Sequence, residues 1–147
     1  MHVSEIMQTA LVTSPPEASV LDVAKLLTQR RVGACLIVED GALAGIFTER
    51  DLLHLVAAGE DVRDRPVGGV MTREVTMAPP DADVLWAADT MRRLGARHLP
   101  VGEGGHPVGI VSIRDLYAAA EAVLRLNPRG ADAAGHMLAA AGADPEH

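Results

Sequence analysis

Aromatic side chains are almost absent from this sequence: Phe47, Trp86 and Tyr117 are the only three in 147 residues. Val, Leu, Ile, Ala and Met must therefore supply the burial, and no platform of rings is available to stack nucleic-acid bases. Cysteine is nearly missing as well. The single Cys35 excludes an intrachain disulfide, and no amino-terminal stretch joins a basic region to an apolar segment and a cleavage site; the setting expected is reducing and cytoplasmic. The neighbours of Cys35 in Ala34-Cys35-Leu36-Ile37-Val38 favour a buried structural thiol over a nucleophile. No apolar run approaches the length of a membrane span, which predicts a soluble chain with no membrane partner. Positive charge is scarce too. Thirteen Lys and Arg against twenty Asp and Glu leave a formal charge of −7 and a pI near 5.2, which argues against a nucleic-acid backbone as the main partner. Walker A, G-x-G-x-x-G, H-E-x-x-H and G-x-S-x-G patterns are all missing. His2, His54, His98, His106, His136 and His147 stand singly, off metal-ligand spacings. The expectation is a protein that is not an enzyme, with no catalytic residue, no metal and no required cofactor.

What is present is a repeat. Gly45-Ile46-Phe47-Thr48-Glu49-Arg50-Asp51-Leu52 returns as Gly109-Ile110-Val111-Ser112-Ile113-Arg114-Asp115-Leu116, an offset of 109 − 45 = 64. Carried backwards, the same offset pairs Met7 with Met71, Pro15-Pro16 with Pro79-Pro80, Val20-Leu21 with Val84-Leu85, and Gly41 with Gly105, without a gap. A self-match of that length makes the chain two pseudo-symmetric halves.

The repeated octet reads as a strand running into a helix. Thr48 has the hydroxyl favoured at an N-cap and Asp51 follows three residues later; Ser112 and Asp115 repeat the pattern. Capping alone accounts for these residue types. A helix start also presents unpaired backbone N–H groups and the positive end of the helix dipole, to which a phosphate can bind.

Taken in order, Val3 to Met7 and Val67 to Met71 are matching apolar lead-ins, each followed by an extended piece, Leu11-Val12-Thr13 and Val75-Thr76-Met77, and a Pro-Pro turn. Ser19 and Asp83 then cap helices whose buried faces are Val20, Val23, Ala24, Leu27 and Val84, Ala87, Ala88, Met91. Ala34 to Glu39, a tight turn at Asp40-Gly41 and Leu43 to Phe47 predict a hairpin. Its twin runs from Leu99-Pro100-Val101 to Val108–Val111, with Pro100 expected at an edge or at the start of pairing. The organisation is thus a first repeat over residues 3–58, a linker over 59–66, a second repeat over 67–126 and a tail over 127–147. That tail is either a weak extra helix around Ala131 to Ala141 or a flexible end whose removal changes little.

This order of elements, with G-h-h-[TS]-x-R-D at the last strand-helix junction of each half, resembles the cystathionine-β-synthase (CBS) domain pair, or Bateman module. The resemblance covers about Val3 to Tyr117 and rests on Gly45 to Leu52, Arg97-His98-Leu99-Pro100-Val101 and Gly109 to Leu116 in combination. It implies an α/β (α+β) fold of tandem β-α-β-β-α repeats, related by a pseudo-two-fold axis and packed through their sheets. It also implies two clefts that bind AMP, ADP, ATP or another adenosyl compound, and it implies a homodimer. By the resemblance, Asp51 and Asp115 accept hydrogen bonds from ribose hydroxyls, Thr48 and Ser112 lie near phosphate or ribose, and Gly45, Arg50, Gly109 and Arg114 complete the motifs. Small apolar positions at Val12, Thr13, Thr76 and Met77 suit a flat adenine.

Arg97-His98 stand opposite Gly33-Ala34, so one half alone offers a cation pair at that strand start. Phosphorylated ligands should then favour one site, leaning to that of Asp115, while adenosine discriminates little. Two functions stay open: a regulatory module sensing an adenosine-containing metabolite for a separate partner chain, or a dimeric assembly protein whose clefts are degenerate. Dimer contacts are expected on the helices Val20 to Leu27 and Val84 to Met91.

Overall fold

The protein's structure, a computed structural model, describes residues 1–127 and 131–142. It is a mixed α+β fold whose chain divides into two units. The first unit is Ala10–Val75; the second joins Met1–Thr9 to the described part of Thr76–His147.

In the first unit Ser19 ends the Pro-Pro turn and caps helix α1 (Val20–Arg30), its Oγ accepting from the Asp22 N–H at 3.0 Å. Val20, Val23 and Leu27 recur on one face of α1, and that face is buried. Strands β2 (Ala34–Glu39) and β3 (Ala42–Thr48) form the hairpin, with Ala34 opposite Thr48 and Cys35 opposite Phe47. Asp40 and Gly41 both take positive φ at its turn, 52° and 78°, as a two-residue hairpin of this kind requires. The short strand β1 (Thr13–Ser14) adds in parallel to β2, and helix α2 (Glu49–Ala57) follows β3. Cys35, Ile37 and Phe47 meet the α1 face together with Val67 and Met71. Burial pushes the Cys35 thiol up to about 11, which keeps it neutral and unreactive at physiological pH.

The second unit repeats this plan with helix α3 (Val84–Leu94), strands β4 (His98–Glu103) and β5 (His106–Ser112) and helix α4 (Ile113–Leu126). Its sheet has lost a strand, and Pro100 is the reason. In the first unit the Leu36 N–H donates to the Val12 carbonyl at 2.9 Å; Pro100, at the Leu36 position, has no N–H to give. Pairing on that side of β4 shrinks to the bridge between Ala78 and Val101.

The lead-ins cross over. Val3 is fully buried in the second unit's core, its N–H bonded to the Ala82 carbonyl at 2.9 Å, and Gln8 exchanges backbone hydrogen bonds with Ile110 at 2.8 and 3.0 Å. In the first unit Val67 bonds to Ala18, and Thr72 exchanges with Ile46 at 3.0 Å in both directions. Each half of the sequence therefore lends its first residues to the other half's hairpin. Gly45 and Gly109 permit this approach: a Cβ on Gly45 would stand 2.6 Å from the Thr72 carbonyl oxygen, and one on Gly109 would stand 2.4 Å from Met7 Sδ.

Two expectations need correction. The carboxy-terminal segment contains helix α5 (Ala131–Ala140), and its Ala134 and Met137 are buried in the second unit's core. The idea that this segment can be removed at little cost is withdrawn. The cover it provides shows in the comparison of the two halves: Ala120 on α4 is 1% exposed, whereas its counterpart Val56 on α2 is 58% exposed. Residues 128–130 and 143–147 lie outside the described residues. The second correction concerns dimer contacts. The apolar faces of α1 and α3 named above are buried inside their own units, so on these helices such contacts would fall to other residues, Leu85, Trp86 and Leu94 on α3; exposed apolar side chains also stand on α2 at Leu53 and Val56 and on α4 at Tyr117, Leu124 and Leu126.

Candidate functional site

Each unit builds the same polar corner from a helix start, a strand start and a lead-in. In the first unit Thr48 caps α2: its Oγ1 accepts from the Asp51 N–H at 3.3 Å, and Asp51 Oδ2 accepts from the Thr48 N–H at 2.9 Å. In the second unit Asp115 Oδ2 accepts from the Ser112 N–H at 2.7 Å and from the Ser112 hydroxyl at 3.0 Å, while Ser112 Oγ accepts from the Asp115 N–H at 3.2 Å. These are reciprocal capping boxes. Both carboxylates are half-buried, and in each Oδ2 is committed to the cap.

The helix starts are less open to an anion than expected. Glu49 N–H donates to the Gly33 carbonyl at 3.0 Å and Ile113 N–H to the Arg97 carbonyl at 2.9 Å, so in each helix the first and third amides already have partners. Side chains must carry more of any phosphate contact. Arg97 is exposed, its guanidinium makes no ion pair or hydrogen bond among the described residues, and its carbonyl ties it to the start of α4; His98 faces Ser112 across the β4–β5 pair. The cation pair therefore belongs to the same unit as Asp115.

The remaining candidates divide. Val12 is half-buried and Thr13 exposed beside β2 in the first unit, and Met77 is half-buried and Thr76 exposed in the second. Gly45 and Gly109 are occupied by the approach of the lead-ins. Arg50 is exposed on α2, and Arg114 lines a shallow groove of about 420 Å³ that runs along α4 past Tyr117 and Leu124 to Leu138. Two residues at these corners, Gln8 and Thr72, carry no motif that marks them in the sequence. Gln8 Nε2 donates to Asp115 Oδ1 at 3.1 Å. The trace of these residues was the offset that pairs Met7 with Met71, read together with a glycine inside each strand. Among the described residues no three His, Cys, Asp or Glu side chains converge to hold a metal ion, and no helix is long and apolar enough to cross a membrane.

The model of the CBS domain matches the chain twice, over residues 3–58 and 67–122. The chain belongs to the CBS domain family. This CBS pair is 35% identical over 115 residues to the CBS domain-containing protein YhcV of Bacillus subtilis, covering 78% of this chain and 81% of that one. Among solved structures it is similar to the CBS domain protein PAE2072 from Pyrobaculum aerophilum complexed with AMP, with a TM-score of 0.73, 32% identity, and coverage of 79% of this chain and 90% of that one. It is also similar to the CBS domain pair of protein MJ0100 in complex with 5-methylthioadenosine and S-adenosyl-L-methionine, with a TM-score of 0.77, 26% identity, and coverage of 83% and 97%.

Proposed function

We propose that this CBS pair is a regulatory sensor of an adenosine-containing metabolite, acting on a separate partner chain from within the cytoplasm. Asp51 and Asp115 accept the ribose hydroxyls, Thr48 and Ser112 sit beside ribose or phosphate, and Val12, Thr13, Thr76 and Met77 flank the adenine. The observation that carries this reading is the pair of half-buried carboxylates, each with one oxygen fixed by its capping box and therefore held in place before a ligand arrives. Two structural relatives that hold AMP or adenosyl compounds support the ligand class. Arg97 and His98 favour phosphorylated ligands in the second unit, by about tenfold for one charge-assisted hydrogen bond.

A homodimer is part of the proposal. Its support is the exposed apolar side chains that each unit presents, Leu53 at 65% and Val56 at 58% on α2 in the first and Leu126 at 87% on α4 in the second, since exposed apolar patches mark interaction surfaces. Calorimetric and thermal-shift titration of AMP, ADP, ATP, S-adenosylmethionine, NAD and a cyclic dinucleotide tests the sensor reading. At least one of these should bind and raise the melting temperature. A panel without a single binder at millimolar concentration leaves the assembly role, with degenerate clefts, as the surviving function.

A further inference from the structure

The two polar corners differ at one position that the repeat makes directly comparable. Gln8 and Thr72 are equivalent by the offset of 64, and each is pinned by a two-way backbone exchange with β5 or β3, through Ile110 and Ile46 respectively. Their backbones are thus placed alike, and only the side chains distinguish them. Gln8 reaches Asp115 Oδ1 at 3.1 Å. Facing a carboxylate, a glutamine amide presents its N–H, so the contact has one direction only. Thr72, being shorter, makes no hydrogen bond to Asp51 among the described residues.

A carboxylate offers about four acceptor positions. Asp115 receives three donors, from the Ser112 amide, the Ser112 hydroxyl and Gln8; Asp51 receives one among the described residues, from the Thr48 amide. A ribose diol brings two hydroxyl donors. Asp51 accommodates both without losing a bond, whereas Asp115 must release Gln8 first.

We infer that Gln8 is a built-in competitor for the diol at Asp115, a specificity-determining residue that lowers the second unit's affinity for any ligand recognised through ribose hydroxyls alone. The inference rests on the sensor reading above. It replaces the expectation that adenosine discriminates little: unphosphorylated adenosine prefers the Asp51 site, and a phosphate is needed to bring the Arg97 side of the second unit into play. The two units then respond to different chemical forms of one metabolite.

The test is adenosine calorimetry in backgrounds that leave one carboxylate. In an Asp51→Ala chain, Gln8→Thr copies the residue the other half already uses at that place and so keeps the backbone exchange. It should tighten adenosine binding about two- to tenfold, the worth of one net hydrogen bond. In an Asp115→Ala chain, Thr72→Gln should weaken it by a similar factor. Unchanged or weaker binding in Gln8→Thr, with the melting temperature maintained, overturns the competitor role. Adenosine binding that survives loss of both carboxylates overturns the sensor reading of Asp51 and Asp115 instead. No adenosine binding by the unaltered chain overturns the competitor role, and the sensor reading then stands or falls on the nucleotide panel above.

Discussion

Replacing Met137 and Gly135 separately with alanine asks whether α5 is docked in solution, since the two changes should move stability in opposite directions. Met137 is 6% exposed and belongs to the second unit's core with Ala134, Leu116 and Ala120. Truncating a buried methionine costs about 2–5 kcal/mol, and a covering helix that can relax lies near the lower end, about 2 kcal/mol. For a chain of this size that corresponds to a fall in Tm of roughly 6–10 °C. Gly135 is exposed inside the same helix, and a Cβ there meets nothing within 4 Å. Gly135→Ala therefore adds helix propensity without a clash, about 0.5–1 kcal/mol of stabilisation and roughly 2–4 °C. The assay is thermal unfolding followed by circular dichroism. Two variants that both melt with the parent protein would refute the docking of α5.

Gly45→Ala should cost more than Gly109→Ala, about 2–3 against about 1 kcal/mol by urea unfolding, because the Gly45 position meets the rigid Thr72 carbonyl oxygen whereas Gly109 first meets the flexible Met7 side chain. Arg31 ends α1 in the left-handed region at φ 55°, where its repeat partner is Gly95 at φ 63°; Arg31→Gly should raise stability by about 1 kcal/mol, read from the urea midpoint. Hydrogen bonds from Arg92 and then Arg93 hold the Asp89 carboxyl below its ordinary value. A depressed carboxylate stabilises the folded state above its unfolded pKa and loses that contribution as pH falls through the folded one, so the difference in Tm between the parent and Asp89→Asn should shrink as pH drops below about 4.

Local chemistry was legible in the sequence because caps and turns are decided by a few adjacent residues. Ser19, Asp83, Thr48 and Ser112 all cap the helices assigned to them, and Asp40-Gly41 makes the hairpin turn. The crossing of the lead-ins was not legible. Gln8 bonds to Ile110 across about a hundred residues, a distance over which periodicity carries no information, and the one local trace was the pair of strand glycines. The docking of α5 was hidden for a different reason: its buried residues are an alanine and a methionine set among alanines, so no apolar stripe stands out, and the small side chains Ala87, Ala88 and Ala120 on α3 and α4 decide that a helix can settle there. The capping partners of Asp51 and Asp115 were legible in the repeated octet, but the contact from Gln8 to Asp115 was not, since Gln8 lies outside the half it serves.

Calorimetry with AMP on the parent chain, Asp51→Ala, Asp115→Ala and the double variant tests the central claim most directly. Loss of each capping box should lower stability by about 1 kcal/mol whether or not the residue binds ligand, so unfolding is followed in parallel. The account predicts two sites in the parent, one in each single variant, and none in the double variant at temperatures where it remains folded. A folded double variant that binds AMP as the parent does would contradict it.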